Sequence, residues 1–476
     1  MDDFLHECIG ILNRCCKVNE EDLNFFELSL EDKSHSHSIL FSLLALVLVA
    51  NPREDVAAVT AYQTKQEGIT VYFTKNDLSQ GTINHVNNLK ALVQTTALDP
   101  QVTLQKFHEL FFEIIVPYCR GKIFRRLEEM RKRLEVTKKS DNTVNSTFDD
   151  LLEIYHRFQS DQTPSYNAKG HADKEAIRLS ASNDLFDGLC EVLDSVKMEA
   201  ACDLFNITPR DFVPLAAHAY IVGYASINTV IAKSSVNLLP LLRSLQKVGD
   251  YFRCATRLFR AITESPLSRR RFAELKVVAI ASIAPIERDL NMNWMLVLRC
   301  LWHRRTARPF PITKGQWLAN HSNGMALYEK HRKQKFVAHA ELTLMTAIVE
   351  DHRRLPTVIG VSKACCGFCT AFVNGVNQYR DQTKLSTWHL PGSHGNCYVC
   401  QLPSVSDRSL LAGVAQLKEY LESKVVDLIT KAIPLFMSET PPQWSSSEGS
   451  ETSQSPTASF YPTTKRPLSK DWGSRK

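Results

Sequence analysis

His339-Ala340-Glu341 and, 25 residues after Glu341, Cys366-Gly367-Phe368-Cys369 bring together the residue types of a metal-assisted hydrolysis. Zinc takes imidazole and thiolate ligands tetrahedrally, and three protein ligands leave a fourth position open. His339, Cys366 and Cys369 supply such a set. A spacing of i, i+3 puts both sulfurs on one side of a helix's first turn. The free backbone N–H groups there favour thiolates. Glu341, two residues past His339, is close to such a centre without being obliged to ligate it. A carboxylate in that position can take a proton from water and hand it to a leaving amine. Each half alone is common by chance in a chain with 13 cysteines. The ordered pair, each half at a strand-to-helix junction, is rare.

The elements that must position these residues follow from hydrophobic periodicity. A short strand over Phe336-Val337-Ala338 precedes His339, and a helix over Leu342 to Val349 follows it. A strand over Thr357 to Val361 precedes Cys366, and a helix over Phe368 to Tyr379 follows. Strands alternating with helices imply an α/β layered domain. Leu410 to Ile433 reads as one or two further amphipathic helices. From about Met437 the chain is rich in Ser, Thr and Pro and lacks the apolar content to fold, so disorder is expected there.

Before about residue 276 the texture is helical. Phe148, Leu151, Leu152, Tyr155 and Phe158 form one stripe, and Leu185, Phe186, Leu189, Cys190, Leu193 and Val196 another. Pro214 to Ile262 is long enough for two or three helices, with loops expected at 137–147 and 159–174. Ser38 to Ala50 is a 13-residue apolar run, shorter than the roughly 20 residues a bilayer requires, and is expected to be a buried helix. The expected organisation is a helical N-terminal region at 1–275, an α/β domain at 276–435 and a disordered tail at 436–476.

Composition sets the outer bounds. The 476 residues are 44% hydrophobic and 23% charged, which excludes collagen-like, coiled-coil and wholly disordered chains. A net charge of +6 permits an anionic partner without demanding one. Met1-Asp2-Asp3-Phe4 is acidic where a secretory signal is basic, and no membrane segment is expected, which points to the cytosol or nucleus. The cysteines are not spread like a disulfide framework. Cys8, Cys15, Cys16, Cys119, Cys190, Cys202, Cys254 and Cys300 read as small helix-packing residues, whereas five crowd into 365–400.

H-x-E followed by a C-x-x-C pair is the signature of the zinc-dependent deaminases. His339-Ala340-Glu341 and Ser362-Lys363-Ala364-Cys365-Cys366-Gly367-Phe368-Cys369 resemble that superfamily, and are most similar to a branch abundant in fungal genomes, as is Gly392-Ser393-His394-Gly395. The resemblance covers roughly residues 330 to 405. Cys365 departs from it, standing where the superfamily usually has proline. The resemblance implies a cytidine-deaminase-like domain, a central sheet with helices on both faces, holding Zn2+ on His339, Cys366 and Cys369. It implies hydrolytic attack on C4 of a cytosine or C6 of an adenine in a nucleotide or nucleic acid, with Glu341 moving protons and ammonia leaving. His394 and Trp388 are candidate pocket residues, the latter able to stack on a base.

Other readings stay open. Cys397-Tyr398-Val399-Cys400 follows the first pair after 27 residues, a long gap for a four-cysteine zinc ribbon, where about 15–20 is usual, and one that would leave His339 and Glu341 idle. A deaminase fold could be a catalytically silent binding module, and the helical half could be a scaffold for a protein partner. Cys365, Cys397 and Cys400 are expected to be packing thiols. Between His303 and Lys335 stand eight Lys or Arg against Glu329 alone, either a solvated face or a phosphate-contacting surface.

Overall fold

The computed structural model describes residues 36–51, 55–63, 68–139, 208–225, 239–289, 294–311, 333–351, 358–363, 365–390, 400–401 and 407–437. In chain order the elements are α1 (Ser36–Val47), β1 (Ala57–Gln63), β2 (Ile69–Lys75), α2 (Gln80–Leu98), α3 (Leu104–Lys139), α4 (Pro209–Ala225), α5 (Leu239–Thr263) and α6 (Pro266–Ala273). They continue with β3 (Lys276–Ala279), β4 (Ile286–Asp289), α7 (Trp294–Thr306), β5 (Lys333–Phe336), α8 (Ala340–Asp351), β6 (Gly360–Val361), α9 (Gly367–Gln382) and α10 (Arg408–Met437).

The protein is a mixed α and β structure, mostly helical, built on a four-stranded sheet of order β3-β2-β1-β6. β1 and β2 form an antiparallel hairpin, Ala57 opposite Lys75 and Gln63 opposite Ile69. β3 adds parallel to β2, and β6 adds antiparallel to β1 with Ala58 opposite Val361. A second, two-stranded sheet pairs β4 with β5. β1 and β2 fall inside the segment read as helical from the sequence. They carry the pairing partners of β3 and β6, so one sheet draws strands from both sides of residue 275.

The pleat decides what each face touches, because successive side chains point to opposite sides. Ala57, Val59 and Phe73 enter one apolar core; Ala58 and Tyr72 enter another. The first core is built by α1 to α5. α5 buries Leu241, Leu242, Leu245, Val248, Phe252, Ala255, Leu258 and Ile262, the three- and four-residue steps of a helix facing a core. α3 faces it with Phe107, Phe111, Phe112, Ile115 and Cys119. The second core is built by α8, α9 and α10 with Phe336, Leu342, Met345, Phe368, Phe372, Leu410 and Leu417. Helices therefore cover both faces of the sheet, as the resemblance implies, but the N-terminal helical region provides one of the two covers.

Gly360 makes the contact of α1 with the sheet possible. A Cβ there would lie 2.1 Å from the carbonyl carbon of Phe41 and 2.2 Å from the nitrogen of Ser42, so no other residue fits without moving α1. The expected helices over 38–50, 214–262 and 410–433 are found, the last as one continuous helix. α3 runs to Lys139, through the start of the stretch read as a loop. The stripes at 148–158 and 185–196, the loop at 159–174 and the tail beyond Met437 lie outside the described residues. Among the described residues no helix is long and apolar enough to cross a membrane.

Candidate metal and catalytic centre

Two strand-to-helix junctions meet at the second core. β5 ends at Phe336, Val337 pairs with Cys400, and His339 caps α8, its carbonyl accepting from the Thr343 N–H at 3.0 Å. At the other junction, β6 ends at Val361 and Cys366 caps α9. The Cys366 sulfur accepts the Cys369 N–H at 3.4 Å, a thiolate-compatible cap in place of the usual oxygen. Apolar side chains fix both junctions: Ala340, Leu342 and Leu344 on α8, and Phe368, Phe372 and Val376 on α9, are all buried in the same core.

The junctions bring the three expected ligands together. His339 Nδ1 lies 3.0 Å from Cys369 Sγ and 3.3 Å from Cys366 Sγ, and the two sulfurs are 3.3 Å apart. Among the described residues this is the group of His, Cys, Asp or Glu side chains arranged to hold a metal ion. Bonds of about 2.0–2.3 Å in a tetrahedral site require donors roughly 3.5–3.8 Å apart. The observed triangle opens to that by a few tenths of an ångström, so the donor set is compatible with zinc.

Electrostatics differentiate the two thiols. Both are buried, which disfavours a thiolate. For Cys366 that penalty is overcome by the hydrogen bond with the Cys369 thiol, the His339 imidazole and the Cys369 N–H, which together hold it well below the usual thiol range. Burial and the neighbouring Cys366 sulfur push Cys369 well above that range. A bound cation would hold both thiols deprotonated.

Glu341, on the first turn of α8, is only 4% exposed, and its Oε2 is buried without a hydrogen-bond partner. Burial raises its carboxyl above the ordinary carboxylate range, and the His339 ring opposes this. An orphaned buried carboxylate oxygen beside a ligand triangle is costly unless something else uses it. Its other contacts are thiols: Cys369 and Cys365 hydrogen-bond its side chain. Cys365, expected from the sequence to be simple packing, therefore touches the carboxylate directly. The only sequence signal for this was its place beside Cys366.

Trp388 is 3% exposed and belongs to the second core. Asn377 on α9 holds its backbone through both groups, accepting the Trp388 N–H at 2.6 Å and donating to its carbonyl at 2.7 Å. Its indole N–H is buried without a partner. His394 and Cys397 lie outside the described residues. Cys400 is fully buried at the Val337 bridge, with Gln401 N–H donating to the Val337 carbonyl at 3.0 Å, and it is not part of the ligand triangle.

The basic run is partly spent on the fold. Arg304 pairs with Glu422 at 2.8 Å, and Arg305 reaches Glu422 at 3.5 Å and Glu419 at 3.6 Å, tying α7 to α10. Those two arginines are structural contacts, while Arg308 and Lys335 are exposed. Residues 312–332 of the run lie outside the described residues.

A family model described as OTT_1508-like deaminase matches residues 338–404. That span begins one residue before His339 and includes Glu341, Cys366, Cys369 and Trp388. No curated protein and no solved structure matches the chain. The chain therefore carries a deaminase-like domain around a His-Cys-Cys cluster compatible with zinc.

Proposed function

We propose that the protein is a zinc-dependent hydrolytic deaminase acting on a nucleobase in a nucleotide or nucleic acid. The observation that carries this reading is the buried, unpartnered Oε2 of Glu341 beside the His339–Cys366–Cys369 triangle. A purely structural zinc site has no use for that oxygen, whereas a hydrolase needs a proton acceptor there. His339, Cys366 and Cys369 hold the ion, which when bound supplies a Lewis acid that makes water nucleophilic at neutral pH. Glu341 takes the proton of the attacking water and delivers it to the departing amine. Cys365 keeps the carboxylate oriented, and the apolar lining from Phe368, Phe372 and Trp388 excludes bulk water. The H-A-E and S-K-x-x-C-x-x-C spacing supports placement in the fungal branch. The absence of Cys400 from the triangle weighs against a four-cysteine structural site. We place the protein in the cytosol or nucleus, with the helical region available to a protein partner.

The test combines metal content with ammonia release on a panel of cytosine and adenine nucleosides, nucleotides and oligonucleotides. Wild type should bind one zinc and release ammonia from at least one member. Glu341→Gln should keep the zinc and lose about 10²–10⁴-fold in rate. Zinc that survives His339→Ala would overturn the reading.

A further inference from the structure

Two thiols stand in contact at the start of α9, an arrangement that serves a second chemistry besides ligation. Cys366 caps the helix, and its sulfur accepts the Cys369 N–H at 3.4 Å. The two sulfurs are 3.3 Å apart, whereas a disulfide bond is about 2.05 Å long. Both residues belong to the first turn of one helix, so closing that gap requires no movement of another element. Burial of Phe368, Phe372 and Val376 holds this helix in the second core, and that burial needs neither sulfur. Other buried thiols are placed differently. Cys119 donates to the Val47 carbonyl at 3.2 Å, and Cys365 is engaged by the Glu341 carboxylate.

A sulfur that can ligate a metal is also a nucleophile, and a second sulfur in contact with it offers a route to a disulfide. Cys366 is 2% exposed and Cys369 fully buried, so the oxidant that reaches them must be small. The open fourth position of the proposed centre admits water, and hydrogen peroxide is a molecule of nearly that size. We infer that Cys366 and Cys369 form a peroxide-sensitive disulfide switch that is exclusive with metal binding. The inference rests on the proposed centre for the ion displaced and for the path of the oxidant; the disulfide itself needs only the two sulfurs. Peroxide passes one oxygen to the Cys366 sulfur, giving a sulfenic acid and one water. The Cys369 sulfur then attacks the Cys366 sulfur. The S–S bond forms, the S–O bond breaks, and hydroxide leaves with the Cys369 thiol proton as a second water. The two thiols are oxidised and the peroxide is reduced. A closed pair offers no thiolate, which leaves His339 alone of the three ligands, too few to hold the ion. A dithiol reductant reopens the pair.

The experiment treats the full chain with hydrogen peroxide, both zinc-loaded and after a chelator has removed the metal. Disulfides are mapped by alkylation and peptide mass spectrometry, and released zinc is read with a chromogenic chelator. The metal-free chain should form the Cys366–Cys369 disulfide. The zinc-loaded chain should release about one zinc for each such disulfide, and dithiothreitol followed by zinc should restore the thiols and the ion. Cys369→Ser should accumulate a sulfenic acid at Cys366, captured by dimedone, with no disulfide at this helix. A metal-free chain in which Cys366 and Cys369 stay reduced, or pair with other cysteines, would overturn the inference. So would a Cys366–Cys369 disulfide that forms with the zinc retained. Zinc content before peroxide separates this inference from the reading it rests on. A chain that never holds zinc removes the proposed centre and the exclusivity with it, whereas a chain that holds zinc yet forms no disulfide removes the switch and leaves the centre.

Discussion

The two cores on either side of the sheet bury the same residue types among different partners. In the first, Cys119 is fully buried with its thiol donating to the Val47 carbonyl at 3.2 Å, and burial pushes its pKa up to about 12. Cys254 is raised likewise. In the second, Cys366 is nearly as deep yet is held well below the usual thiol range. Histidine repeats the contrast. His85 stacks on Tyr118 at 3.8 Å and bonds the Val47 carbonyl, and His108 bonds the Thr256 hydroxyl, so each ring meets one neutral oxygen. His339 meets two sulfurs. Burial by itself makes thiols and imidazoles inert; what separates the second core is that its polar groups were placed against one another.

The largest expected effect breaks this contrast directly. His339→Ala should eliminate zinc and, with it, the metal's contribution to folding, read as zinc content and as a Tm that no longer responds to a chelator. Cys119→Ala should leave the zinc content unchanged and cost about 1–2 kcal/mol in urea unfolding, the loss of a small packed side chain and one weak hydrogen bond. Equal zinc loss in both variants would erase the distinction between the cores.

A second test uses pH. Burial lowers the pKa of both His85 and His108 to about 4 from an unfolded value near 6.5. Between those values the unfolded chain binds protons that the folded chain refuses, so stability is fully present above about 6.5 and is lost as pH falls to about 4. Each histidine contributes on the order of 3 kcal/mol over that interval. Urea unfolding of the His85→Gln, His108→Gln double variant should lose much of the dependence between pH 6.5 and 4, which would localise it to the first core. The smallest effect is expected for Arg304→Ala. Its side chain is 51% exposed, so loss of the Glu422 pair should cost at most about 1 kcal/mol.

The part of the molecule most legible in the sequence was the part whose signals are local. α8 and α9 announce themselves by apolar steps, and His339, Glu341, Cys366 and Cys369 by type and spacing. Their convergence is not a property of one sheet edge, since β5 and β6 belong to different sheets and the shared second core brings the two helix starts together. β1 and β2 were not legible. Ala57-Ala58-Val59-Thr60-Ala61-Tyr62-Gln63 carries three alanines that read as helix, whereas it pairs along its whole length with Ile69–Lys75 and at its start with Gly360 and Val361, some three hundred positions away. Cys365 packs in the second core as expected, and what the sequence did not show is that the Glu341 carboxylate lies beside it.

The pairing of Ala58 with Val361 also has a consequence during synthesis. The β1–β2 hairpin leaves the ribosome long before the strand that closes its open side has been translated. At about 5–20 residues per second the delay is on the order of 15–60 s. Throughout it the nascent chain presents an unpaired strand edge, the feature that invites pairing with other chains. Of the helices of the first core, α1 precedes the hairpin and α2 to α5 are translated in that interval, so they shield its first face while it waits. The metal-binding loop arrives onto that platform, and α10, which completes the second core, follows it.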